Sequence, residues 1–187
     1  MAKLQPIEIP YAPFWIKEYL IEEFLKYEGF ESVVAIPASA TSIQDILKNY
    51  KKFPDIVIQY DKLFKLRRGP FYPIKCEQMQ VYLYGLPEKV YQAEAILREL
   101  LDRSDAAAQD LNDWAIKRQA GNNPLRKDPS KPNSDILEHN VFFHDFKVYQ
   151  LEEVRDLGEI DTLRGYAVSK LLIDYDYHNS TSSQRYI

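Results

Sequence analysis

The chain has 187 residues, 45% of them hydrophobic and 28% charged, which fits one domain able to bury its own core and excludes a disordered chain. A net charge of −4 and a pI near 5.5 give no basic field to gather a phosphate backbone, which disfavours sequence-independent nucleic-acid binding. A single cysteine, Cys76, cannot form an internal disulfide, and no stretch approaches the roughly 18 uninterrupted apolar residues of a membrane span.

Residues 1–11 carry no apolar signal-peptide core, which places synthesis in a reducing cytoplasm. From Pro13 to Tyr27, Ile16, Leu20, Phe24 and Tyr27 recur at helical spacing between charged residues, and Gly29 ends the segment. Val33 to Ile36 is a β-branched run stopped by Pro37 and reads as a strand. Residues 42–50 read as a short capped helix. A strand is predicted from Asp55 to Leu66, then a turn at Arg67–Pro70, then an alternating strand from Ile74 to Leu86 that pairs antiparallel with it. In that second strand Met79, Val81 and Leu83 point one way and Gln80, Tyr82 and Tyr84 the other.

Pro87 opens the strongest helix, with Val90, Ala93, Leu97 and Leu100 on one face. Ser104 and Asp105 cap a second helical segment, Ala106 to Ile116, after a kink or turn. Residues 118–134 have no apolar period and are rich in Pro, Asn, Lys and Gly, so they are predicted to form a long mobile loop. Two long strands follow, Val141–Leu151 and Tyr166–His178, joined by a charged connector at 152–165 that is too long for a tight hairpin and projects from the body. The tail, residues 180–187, is predicted to fray, and there is no internal repeat.

Enzyme signatures are missing: the chain has no glycine-rich phosphate loop, paired CxxC, HExxH or GxSxG motif. Alternation puts Asp174, Asp176 and His178 on one strand face, a donor set suited to a divalent ion if His139 or His144 comes near, but the same residues also suit a solvated face. Cys76 reads as a small hydrophobe rather than a nucleophile. Lys62, Lys65, Arg67 and Arg68, with Phe64, Phe71 and Tyr72, make a basic and aromatic patch that suits a nucleic acid or an acidic protein equally. No catalytic, cofactor or metal site is therefore assigned. The 14 tyrosines and 9 phenylalanines favour protein contact.

Helix, strand, short helix, two strands, long helix and two strands describe an α+β domain, a mostly antiparallel sheet flanked by an N-terminal helix and a central long helix. This order resembles the tail-terminator and neck (tail completion) proteins of tailed bacteriophages. The stretches that carry the resemblance are Cys76–Gly85 running into Glu88–Leu101, then Phe142–Glu153, and Ser169–His178. The resemblance implies a virion protein forming a homohexameric ring at the head-proximal end of the tail. There it would stop tube or sheath polymerisation and join the tail to a neck or head-completion protein. It also implies that the contacts lie in the loop and connector, at Arg126, Lys127, Glu152, Glu153, Arg155, Asp156 and Arg164. A small-ligand or regulatory domain of ferredoxin-like type is the alternative, and a metal enzyme using Asp174, Asp176 and His178 is a third reading.

Overall fold

The computed structural model describes residues 12–38, 53–68, 74–120, 141–157 and 165–179, with backbone alone for 62–68, 118–120 and 179. Among these residues three helices, α1 (Ala12–Phe24), α2 (Pro87–Leu101) and α3 (Asp105–Ala120), accompany five strands. The strands are β1 (Val33–Pro37), β2 (Ile56–Arg68), β3 (Lys75–Gly85), β4 (Val141–Asp156) and β5 (Ala167–Asn179). They form one sheet in the order β1-β2-β3-β5-β4, antiparallel throughout except for the parallel pair β1 and β2. The fold is α+β. The short helix predicted at 42–50, the loop at 121–134 and the tail at 180–187 lie outside the described residues.

Local sequence sets where the elements stop. α1 buries Trp15, Ile16, Tyr19, Leu20 and Phe24, and its continuation tightens into a three-residue bond from the Tyr27 amide to the Phe24 carbonyl. Gly29 then turns the chain with φ +88°, a conformation that suits a residue without Cβ. The predicted helix therefore overruns the observed C-terminal end by three residues. Pro87 starts α2 because its missing N–H costs nothing there, with Glu88 in the first turn and Arg98 in the last matching the helix dipole. α2 and α3 are separate helices: Ser104 takes φ 55° between them, and Arg103 ties them by donating to the Glu99 carbonyl at 2.7 Å and to Asp110 at 2.6 Å.

Strand alternation builds the core on one side of the sheet. Met79, Val81 and Leu83 of β3 and Leu171, Ile173, Tyr175 and Tyr177 of β5 face the helices and are buried. The rings of Trp15 and Tyr19 meet Trp114 edge-on at 6.5 and 5.4 Å, locking α1 to α3. Phe143, Phe146, Tyr175 and Tyr177 make a second aromatic group between β4 and β5.

Three boundaries correct the sequence reading. β2 continues through Arg67 and Arg68, which pair with Cys76 and Lys75, so those arginines are not turn residues. α3 runs on to Ala120, so 118–120 belong to a helix rather than to the loop. β4 runs on to Asp156, and the first five residues of the expected connector are strand: Glu152 pairs with Lys170, Arg155 with Val168 and Asp156 with Ala167. Charged side chains hid this because β4 is an edge strand, exposed on both faces at Glu152 and Glu153.

Candidate functional site

The sheet face turned away from the helices is read from the register. Val34, Val57, Tyr84, Val168 and Arg155 form one line across the five strands. Ile36, Gln59, Tyr82, Lys170 and Glu152 form the next, followed by Asp61, Gln80, Leu172 and Tyr149. Asp174 then stands opposite Lys147, and Asp176 lies between Cys76 and Asp145. His178 ends the face beside Phe142.

This face changes character along its length. Val57 and Val168 are buried at one end, where Phe53 packs on Tyr166 at 4.5 Å. In the middle Tyr82 and Tyr84 stack at 6.3 Å and the Lys170 ammonium sits over Tyr82 at 5.5 Å. Burial, then the neighbouring Tyr82, push the Tyr84 phenol up, opposed by the charge of Arg155. Tyr149 is 45% exposed and Leu151 is 41% exposed on β4. The far end is ionic, with Lys147 and three aspartates before the histidines.

The metal set read from the sequence does not assemble. Asp174, Asp176 and His178 do share the face, but Asp174 stands opposite Lys147 and the three are strung along β5. Among the described residues no three His, Cys, Asp or Glu side chains converge. His144 and His178 meet each other instead, Nε2 to Nδ1 at 2.6 Å. Burial first, and His144 second, hold His178 below the usual imidazole range. His139 lies outside the described residues, and Cys76 is half-buried on the open face.

Of the expected contact residues, Glu152, Glu153, Arg155 and Asp156 are all exposed on the last part of β4, whereas Arg126, Lys127 and Arg164 lie outside the described residues. So do Phe71 and Tyr72 of the basic patch, whose other members are strand backbone in β2.

Two features escaped the sequence reading. Glu77 is only 2% exposed on the helix side of β3, where its carboxylate accepts hydrogen bonds from Tyr175 at 2.8 Å and from Tyr177. Its parity with Met79, Val81 and Leu83 was the available signal. The second is the treatment of the β4 edge. The Asn112 amide donates to the Phe143 carbonyl at 2.9 Å and accepts from the Phe143 N–H at 3.0 Å, standing in for a neighbouring strand. At Val148, Asp102 accepts from the N–H at 3.1 Å and Arg98 donates to the carbonyl at 3.5 Å. Gln150 binds Glu94 at 2.9 Å and the Ser169 hydroxyl at 3.2 Å, and Ser169 also bonds Glu94, closing the seam between α2 and the last two strands.

In comparison with known proteins, the chain matches no family model and no curated sequence. Among the described residues no helix is long and apolar enough to cross a membrane.

Proposed function

We propose that this chain is a structural protein of a tailed bacteriophage that assembles into a ring at the head-proximal end of the tail. The ring ends growth of the tube or sheath and joins the tail to a neck or head-completion protein. The observation that carries this reading is the open sheet face, where Tyr82, Tyr84 and Tyr149 surround Lys170 and Leu172. Rigid tyrosines that are dry on one side and wet on the other are the side chains that anchor protein interfaces. A heterologous ring needs two different surfaces on each protomer. The tyrosine face, which includes Glu152 and Arg155, is one, and the outer edge of β4, exposed at Leu151, Glu153 and Asp156, is the other.

The helix-covered face lends no support to the ligand-binding alternative. Aromatic and aliphatic side chains fill it, and its buried carboxylate, Glu77, is bonded by the protein's own Tyr175 and Tyr177. On the proposed reading the protein is made in the host cytoplasm, resides in the virion and turns over no substrate.

Light scattering over a wide concentration range, with negative-stain imaging, tests the proposal. Six-fold rings are expected, and a Tyr82→Ala, Tyr149→Ala double variant should keep its circular dichroism and lose the rings. A protein that stays monomeric at every concentration, and also in the presence of purified tail tubes, overturns the reading.

A further inference from the structure

At the ionic end of the open face, β4 carries one residue more than β5: Phe143 pairs with Tyr177 and Asp145 with Asp176, leaving His144 as the extra residue of a bulge. Bulges re-aim side chains, and this one brings His144 against His178 on the neighbouring strand. The two rings stack at 4.8 Å with 29° between their planes, and Phe142 backs His178 at 5.3 Å. The nitrogens that face each other, Nε2 of His144 and Nδ1 of His178, are 2.6 Å apart.

Two neutral imidazoles cannot face each other through two lone pairs. One electrophile must sit between them: a proton carried by either ring, or a metal ion held by both. We propose that His144 and His178 form a two-imidazole chelate for a borderline divalent transition cation of the zinc class. Zinc–nitrogen bonds of about 2.0–2.1 Å at a tetrahedral angle put the two nitrogens about 3.3 Å apart. The pair must therefore open by several tenths of an ångström, which the exposed His144 ring is free to do. Asp145 and Asp176, the adjacent cross-strand pair on the same face, add negative field beside the ion. No third side chain among the described residues completes a ligand group. Water fills the remaining positions, and the ion exchanges freely.

Calorimetric titration of the full chain with zinc chloride tests this, using the native protein, His144→Ala and His178→Ala. His139, the third histidine of the sequence, is retained in all three. Saturable uptake of one ion per chain is expected, weakened roughly tenfold or more in either variant. Because the ion bridges β4 and β5 only in the folded protein, zinc should also raise the native melting temperature, and raise that of each variant less at the same concentration. Removing the exposed His144 leaves the packing of the core intact, so circular dichroism of His144→Ala confirms that the variant is folded. Absence of saturable uptake by the native chain, or full uptake surviving in folded His144→Ala, overturns the assignment.

Discussion

The Lys89 ammonium donates to the Gly29 carbonyl at 2.6 Å while lying 5.2 Å above the Phe30 ring, so the start of α2 grips the turn that follows α1. Gly29 has φ +88°, and a Cβ placed on it would stand 2.6 Å from the Lys89 nitrogen. Gly29→Ala combines left-handed strain with loss of this bond and should cost about 1–2 kcal/mol. The urea midpoint should fall at unchanged slope. Part of the loss should vanish in a Lys89→Ala background, because the clash is then gone. Strict additivity of the two changes would refute the coupling.

Glu77 predicts a graded series. Glu77→Ala leaves two buried tyrosine hydroxyls without their acceptor and should cost about 2–3 kcal/mol. Glu77→Gln keeps the volume and exchanges one acceptor for a donor, so a loss of about 1 kcal/mol is expected. If both substitutions are neutral by urea denaturation, the carboxylate does not organise that end of the sheet.

Stability should fall in alkali. Burial, then Glu23 and Asp110, push Tyr19 up to about 12, and burial together with the Glu77 hydrogen bond raises Tyr177 as well. A phenol whose folded pKa is raised holds its proton more tightly in the fold. Its contribution is intact below the ordinary value of 10.0 and is lost as pH climbs from there through the folded values. Urea midpoints measured from about pH 9 to about pH 11 should decline, and Tyr19→Phe should flatten the decline. A native profile that is flat over that span would contradict the burial of these phenols.

Asn112 predicts a change in association as well as stability. Asn112→Leu strips both bonds from the Phe143 backbone and uncovers part of an edge strand. A loss of about 1–2 kcal/mol is expected, together with faster aggregation on mild heating, followed by light scattering. Unchanged aggregation would show that the edge needs no such cover.

How much of this was legible in the sequence depends on how local each signal is. β5 was readable because Lys170, Asp174, Asp176 and His178 alternate strictly with buried residues, and α2 because Pro87 and a four-residue apolar stripe mark it. β4 was misjudged in length because register shifts at Phe143/Asp145, Gln150/Glu152 and Glu152/Arg155 break its alternation. Charge at Glu152 and Glu153 then looks like a connector, whereas backbone pairing with β5 makes it strand. The polar links were out of reach for a different reason. Asn112 meets Phe143 across 31 residues and Tyr177 meets Glu77 across 100, and no periodic pattern encodes such a pair. At Asp174, Asp176 and His178 the shared face was legible from parity, but parity gives a face and not a distance, and so no metal site followed from it.

The order of strands in the sheet differs from their order of synthesis. Among the described residues β4 has β5 as its sole sheet partner, yet β5 lies between β4 and β3 and follows both in the chain. Apart from its pairing with β5, β4 is held at Phe143 and Val148 by Asn112, Asp102 and Arg98 of the α2–α3 segment. The same side chains that shield the finished edge thus tie β4 to the helices across the side that β5 does not cover. β5 is therefore the element that joins β4 to β1-β2-β3 in one sheet, over a helix layer that already packs on both.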